Sequence, residues 1–456
     1  MRLSFIPRRY LAVVAIALAL VMSVLDGTIV NVALPTLARE FGTSPSETIW
    51  IVNAYQLTIT MTLLSFSALG DIYGYKRIFL FGTGVFCGMS LVCSLSSSFT
   101  TLTVARILQG IGASAIMSVT TALLRIIYPP QFIGRGMSIN AMIVAVSIAA
   151  GPSLAGAILS VASWHWLFAI NVPLGICALV TGYLLLPQNP DHGGVKRKFD
   201  KIGGVANALT FGLLIYTLDG IAHNQDWAII GIQAVMLVVV GTFFIRRQLR
   251  QETPILPLDL LRIPIFALSV LASITSFIAQ LMAMISLPFY FQNVVGRNEV
   301  ETGLLLTPWP VATILTAPVA GRLVEKYHPG ILGGIGMVIY ASGLFLLASL
   351  PDQPSNLDIS WRLALCGMGF GLFQTPNNST MIASAPRQRS GGANGMQGTA
   401  RLLGQTLGTT LVALIFGITS TGYSMSVCMY VAVGFAVIAG IVSCLRISQP
   451  APLRGR

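Results

Sequence analysis

Charge is what this 456-residue sequence has least of: Asp, Glu, Lys and Arg together make up 9% of it, against about a quarter in an ordinary soluble domain. So thin a supply cannot cover a water-facing surface, which excludes a string of soluble domains. Histidine is scarce as well. His165, His192, His223 and His328 lie far apart, with no H-E-x-x-H among them, so no metal site is expected. The six cysteines (Cys87, Cys93, Cys177, Cys366, Cys428 and Cys444) sit inside apolar stretches without CxxC spacing. They read as small core residues rather than disulfides or metal ligands. No G-x-x-x-x-G-K-[ST] loop occurs, which removes a nucleotide-driven pump. No Ser/His/Asp arrangement stands out either. Neither an enzyme nor a cofactor is expected.

What is present is apolar. Hydrophobic residues make up 54% of the chain, the mean hydropathy is +0.79, and the 45 glycines suit helices packed closely in lipid. These numbers describe an all-α polytopic membrane protein, with the lipid bilayer as its first partner. The net charge of +12 does not mark a nucleic-acid surface, because the basic residues recur singly or in short groups between apolar runs. The N-terminal stretch has the basic flank and apolar run of a signal peptide. No A-x-A cleavage site follows the apolar run, which continues nearly to Pro35, so it reads as an uncleaved first span.

Apolar stretches of about 17–25 residues number fourteen, the first near 10–30 and the last near 424–446. The seventh and eighth, near 202–222 and 228–245, follow a basic segment containing Lys196, Arg197, Lys198 and Lys201. With the N-terminus inside, most basic residues fall in inner loops and tails. Only Arg39, Arg297 and Arg362 fall outside. That bias is expected of fourteen spans with both termini cytoplasmic.

Two segments repeat. SALGDIYGYKR (67–77) follows the second span and GRLVEK (321–326) the tenth, and their alignment matches Asp71 with Glu325. The intervening eight spans equal six plus an inserted pair. The expected organisation is therefore a six-helix bundle at 1–190, a basic linker with a two-span insert at 191–255, and a second six-helix bundle at 256–456.

The loop after span two resembles the signature of the major facilitator superfamily, G-x-L-x-D-x-x-G-x-[KR]-[KR]. Asp71, Gly74, Lys76 and Arg77 match it; Ser67 and Tyr75 depart from it. The resemblance implies a cytoplasmic gate, in which an acid at a helix end is held against a neighbouring helix terminus and an arginine. A merely solvated loop would satisfy the same charge bias. LTVARILQGIGAS (102–114) is similar to the family's R-x-x-x-G motif, with Arg106, Gln109, Gly110 and Ala113 on one helix face. SIAAGPSLAG (147–156) resembles the pattern that marks proton-exchanging exporters. Gly151, Pro152 and Gly156 match there, and Ser147 and Ala155 replace glycines. Small residues let helices approach closely, and the proline makes a bend. LDGTIVNVALP (25–35) and WHWLFAINVPLG (164–175) are similar to the fourteen-span drug:proton antiporter branch, although His165 stands where an Arg is usual. The fold so implied is two six-helix bundles with a two-helix central insert, alternating access about a cavity.

Only two carboxylates lie within the expected spans, Asp26 and Asp219. An intramembrane Asp is a functional candidate by default. Asp26 lies about 24 Å above the inner end of span one, and Arg106 about 6 Å below the outer face on span four. Across about 30 Å of hydrocarbon these depths coincide. Arg stays charged, so Asp26 is the expected proton carrier, with a cationic drug competing for it. A static pair that only fixes helix packing would use the same two residues. Asp219, near the outer end of span seven, reads as a boundary residue. Arg401, at the start of span thirteen, is expected to reach the interface. Gln109, Gln280, Gln374, Asn377 and Asn378 are candidates to line the cavity or to bond helices together. Met282 and Met284 suit an apolar pocket or ordinary packing, and Gly404 and Gly408 suit packing.

The expected function is proton-coupled export of amphipathic, mainly cationic compounds across a bacterial cytoplasmic membrane, with a small molecule and protons as partners and no nucleic acid. Transport of a specific metabolite on the same fold is the first alternative, and a membrane sensor or structural protein the second.

Overall fold

The computed structural model describes residues 8–128, 132–188, 199–222, 225–251, 256–351, 353–386, 389–419 and 423–448. The expected basic linker at 191–198, with His192, Lys196, Arg197 and Lys198, lies outside the described residues, as does His223. The described chain is helical throughout: α1 (Arg8–Phe41), α2 (Pro45–Thr48), α3 (Trp50–Tyr73), α4 (Tyr75–Ser94), α5 (Phe99–Ile127), α6 (Ile133–Val161), α7 (His165–Ala169) and α8 (Asn171–Leu185). There follow α9 (Lys201–Ala222), α10 (Trp227–Arg250), α11 (Pro264–Asn293), α12 (Glu299–Leu306), α13 (Pro308–Lys326), α14 (Pro329–Ala348), α15 (Asn356–Ser384), α16 (Ser390–Ile418) and α17 (Ser424–Leu445).

Local signals explain the ends. Ser98 and Ser355 accept hydrogen bonds from the third backbone amides of α5 and α15, and Ser44 and Asn298 form reciprocal capping boxes with Glu47 and Glu301. The turn from α3 into α4 is a single residue, Gly74, at φ +103°, a conformation that side chains resist.

Thirteen segments among the described residues are long and apolar enough to cross a membrane. The expected twelfth span differs. Its helix, α15, is long enough, but Asp358, Arg362, Gln374, Asn377 and Asn378 lower its apolarity.

Helices α1, α3, α4, α5, α6 and α8 pack against one another, and so do α11 and α13 to α17. Helix α9 pairs with α10 and also rests on α3 and α16, one helix from each group. The groups meet where α1 packs on α11, α6 on α12 and α3 on α16. Gly404 and Gly408 let α16 lie on α11: an added Cβ would stand 2.5 and 2.7 Å from the Ile274 and Ile278 carbonyl oxygens. Met282 is fully buried and Met284 packs against the same core, so both are packing residues. All six cysteines are free thiols.

Candidate functional site

Asp26, Arg106 and Gln109 are each 0% exposed, and they meet. The Asp26 carboxylate forms an ion pair with Arg106 through Oδ2. Its Oδ1 accepts hydrogen bonds from Gln109 Nε2 at 3.1 Å and Asn171 Nδ2 at 2.8 Å. Each of these three partners of the carboxylate is a donor, the set that suits an ionised acid. Gln109 also donates to Ser90 Oγ at 2.8 Å and accepts from Arg106 Nη1 at 2.7 Å. Arg106 Nε donates to the Ile51 carbonyl at 3.1 Å, and the guanidinium lies 4.1 Å from the centre of the Tyr55 ring, a favourable cation–π distance. Tyr55 in turn donates to the Ser23 carbonyl at 2.9 Å. The cluster therefore ties α1, α3, α4, α5 and α8 together. Its basis in α5 is the three-residue spacing of Arg106 and Gln109, which puts both on one face. Gly110 alongside lets the Tyr55 backbone approach, since a Cβ there would stand 2.8 Å from the Tyr55 oxygen.

Next to this cluster is a cavity of about 1390 Å³. Its inner walls include Leu20 and Val24 of α1, Leu63 of α3, Met117 of α5, Phe277 of α11 and Gln374 of α15. Its mouth carries Asp71, Arg125, Asp200, Lys201 and Arg247, the end where α3 meets α4. Val24 lines the cavity and Asp26, two residues on, does not. The expected competition between a cationic drug and a proton for Asp26 is therefore not available in this conformation.

The opposite end is shut. Arg39 pairs with Glu299 at 3.0 Å, and Thr36 donates to the same carboxylate at 3.1 Å. Gln292 donates to the Val32 carbonyl at 2.9 Å, and Ser46 to the Ala413 carbonyl at 2.8 Å. Ser153 and Thr307 bond through their hydroxyls. Gly151, Pro152 and Gly156 belong to this seal. A Cβ on Gly151 would collide with Thr28 of α1, one on Gly156 with the Glu299 backbone, and one on Gly303 of α12 with the Pro152 carbonyl.

At the open end Tyr75, which departs from the resembling motif, donates its hydroxyl to Asp71 Oδ1 at 2.6 Å. Lys76 donates to the Tyr183 and Leu186 carbonyls, each at 2.8 Å, where a cation suits a helix C-terminus. Arg77 and Glu325 are exposed. Asp200 accepts from Arg247 Nη2 at 2.8 Å and from Gln251 at 2.7 Å. Burial alone would raise the Asp200 carboxyl, but the bonds from Arg247, the Gly203 amide and Gln251, with the Arg247 charge, carry it below its ordinary value.

Several expected placements are corrected. Gln374 and Asn378 line the cavity, but Gln109 is drawn into the Asp26 cluster, and Gln280 of α11 is not among the lining residues. Asn377 faces away: it accepts from Arg446 Nη1 at 2.7 Å and donates to the Ser269 carbonyl at 3.2 Å. Arg446, just after α17, is buried there with Ser269 and Ser443 as further partners. Arg401 lines the cavity instead of reaching the interface, because α16 begins at Ser390, eight residues before the thirteenth span that the sequence places near 398–418. Asp219 is engaged at the shut end, accepting from Trp50 Nε1 at 2.7 Å. Sequence reasoning missed Asn171 and Ser90 as partners of the Asp26 cluster.

Comparison with known proteins is consistent with this architecture. The Major Facilitator Superfamily model matches residues 16–409. "Uncharacterized transporter YebQ" of Escherichia coli (strain K12) is 57% identical over 448 residues, covering 98% of this chain and 97% of that protein. "Riboflavin transporter RibZ" of Clostridioides difficile (strain 630) is 29% identical, covering 90% and 88%. "Multidrug efflux pump LfrA" of Mycolicibacterium smegmatis (strain ATCC 700084 / mc(2)155) is 28% identical, covering 90% and 81%. Among solved structures, a POT family transporter in complex with a thioalcohol-conjugated peptide superposes with a TM-score of 0.73 at 18% identity, covering 97% of each chain. A bacterial homologue of the human lysosomal transporter Spinster, inward-facing and unoccupied, gives 0.69 at 15%, covering 96% and 97%. The chain belongs to the Major Facilitator Superfamily and is a multi-pass membrane transporter, not an enzyme.

Proposed function

We propose that the protein is a proton-driven exporter of amphipathic compounds, working by alternating access between two six-helix halves with the α9–α10 hairpin inserted between them. The observation that carries this is the buried Asp26–Arg106 pair on a helix that touches both the cavity and the shut end. Helix α1 presents Leu20 and Val24 to the cavity and holds Asp26 within the bundle. It then supplies the Val32, Thr36 and Arg39 contacts that close the far end.

Coupling then runs through α1. Ionised Asp26 holds α1 against α5 and α8 in the conformation open at the Asp71 end. A proton arriving from the opposite side cancels the charge that Arg106, Gln109 and Asn171 hold, which loosens α1 and favours the other conformation. The Asp71–Tyr75 segment, with Lys76, Arg77 and Glu325, is the gate at the first end, and the small residues of α6 are the seal at the second. The excess of basic residues at the Asp71 end fits a cytoplasmic orientation of that end and of both termini in a bacterial inner membrane.

The test is proton movement in inverted vesicles energised acid inside, with lipophilic cations, anions and neutral planar compounds added in turn and Asp26→Asn run alongside. Compound-evoked proton release that Asp26→Asn abolishes, with the variant folded and inserted, is the expected result. Release that persists in Asp26→Asn would remove the coupling role, and no release with any compound would remove antiport. The relative named as a riboflavin transporter supports a second reading, transport of one metabolite on the same scaffold, which a response confined to a single compound class would favour.

A further inference from the structure

Resting on the transporter reading of this cavity, we propose that its binding site selects an organic anion, whose acidic group is held by Arg401 and the amides beside it.

The charges that line the cavity are Asp71, Arg125, Asp200, Lys201, Arg247 and Arg401. Asp200 and Arg247 neutralise each other as an ion pair. Asp71 and Arg125 each lie two residues from the mouth-side ends of α3 and α5, about 3 Å of helical rise. Lys201 begins α9 at the same level. Arg401 is different. It stands eleven residues into α16, about 16 Å from the mouth and near the middle of the hydrocarbon. It is the one charged residue at that depth among the described lining residues, and it is positive.

Arg401 has no hydrogen bond or ion pair to any described residue. An arginine held at this depth without a counter-ion is costly unless water or cargo supplies one, which makes it a functional candidate. Its neighbours are matched to it. Asn394 and Gln397 precede it by seven and four residues and share its face of α16. Gln374 and Asn378, four apart on α15, line the same cavity. These four amides likewise bond to no described side chain or backbone group, so their N–H groups are available to a ligand. Among the described lining residues no carboxylate joins them at this depth. Leu63, Met117 and Phe277 complete the walls.

A guanidinium with amide donors around it is a receptor for a carboxylate, sulfonate or phenolate. The apolar walls take a flat or branched hydrocarbon body. A lipophilic cation fits the walls equally well but meets Arg401 as a like charge. Selection by charge sign therefore falls to Arg401, while Asp26 carries the proton behind the cavity wall.

The test uses the purified full-length protein in phosphatidylcholine nanodiscs and two dyes on one xanthene core, anionic fluorescein and cationic rhodamine 6G, titrated by fluorescence anisotropy at neutral pH. Fluorescein should bind at least about tenfold more tightly than rhodamine 6G. Arg401→Gln should erase the difference, and Arg401→Lys should keep a preference for fluorescein. The pair Gln374→Leu and Asn378→Leu, which leaves Arg401 in place, should weaken fluorescein several-fold and leave rhodamine 6G unchanged. That arm carries the test if Arg401→Gln does not elute as a folded monodisperse protein. Equal or tighter binding of rhodamine 6G, no saturable binding of fluorescein, or an unchanged dye ratio in folded Arg401→Gln would overturn the proposal. Selective fluorescein binding without proton release would sink the coupling scheme and leave the anion site standing. Proton-driven export of rhodamine 6G that Arg401→Gln does not affect would do the reverse.

Discussion

A Cβ placed on Gly156 of α6 would stand 2.8 Å from the carbonyl oxygen of Glu299, the residue whose carboxylate holds Arg39 of α1. The opposing atoms are backbone, the Glu299 oxygen and the Val300 Cα at 2.9 Å, so they cannot swing aside. Gly156→Val should prop the shut end open. Cysteines introduced by Thr36→Cys and Glu299→Cys, with the six native cysteines replaced, should be joined efficiently by a short bifunctional thiol reagent in the otherwise unaltered chain. Adding Gly156→Val should lower that yield several-fold, with Gly156→Ala intermediate. An unchanged yield would show that the glycine is dispensable to the seal.

The Asp26–Arg106 pair makes two uses of the same contact separable. Removing one partner of a buried pair typically costs about 3–5 kcal/mol, while replacing both by neutral groups costs much less. Arg106→Leu should therefore lower the unfolding temperature in detergent sharply, and Asp26→Asn combined with Arg106→Gln should recover much of the loss. Proton release should stay absent in the double variant. A double variant that exchanges protons normally would make the pair a static brace and nothing more.

The meeting of Asp26 with Arg106 was legible because depth along a helix is simple arithmetic: 1.5 Å per residue from each end brought two rare charges to one level. Asn171 and Ser90 were not legible in that way. They sit on α8 and α4, and no spacing within a helix states which way a separate helix turns its side chains. Arg401 was misplaced for a different reason. The stretch Ser390–Gly398 holds Gly391, Gly392, Gly395 and Gly398, a composition that reads as loop, yet tertiary packing carries α16 through it. Gly392 then lies close to Pro257, and an added Cβ would stand 3.3 Å from it. The eight extra residues move Arg401 about 12 Å deeper. The sequence places a span at 362–383 within α15, and Gln374 and Asn378, which line the cavity, are among the polar residues that lower its apolarity.

Asn171 provides a prediction that sequence spacing did not suggest. Its amide donates to the Asp26 carboxylate at 2.8 Å in a fully buried setting. A hydrogen bond to a charged group contributes about 1.5–3 kcal/mol, so Asn171→Leu should lower the unfolding temperature by several degrees. Asn171→Asp would set a second acid beside Asp26 and should be worse. Equal stability of the Leu and Asp variants would show that the charge on Asp26 is not held by this donor.

Asp200 gives the chain a measurable dependence on acid. It lies just before α9, and its partners Arg247 and Gln251 lie at the far end of α10 and just beyond it, so the contact clamps the base of the hairpin. Its carboxyl is held below the ordinary 3.8: burial opposes ionisation, and the bonds from Arg247, the Gly203 amide and Gln251, with the Arg247 charge, outweigh it. A lowered native value means that the ionised form favours the folded chain. The contribution is complete above the ordinary carboxylate range and is lost as pH falls through the lower native value. Asp200→Asn should therefore unfold a few degrees below the unaltered protein at neutral pH, and the gap should shrink below about pH 4. Arg247→Gln should behave alike, and the double variant should add little, since both remove one contact. A gap that widens toward acid would mean that Asp200 is held in its protonated form, contrary to its four donors.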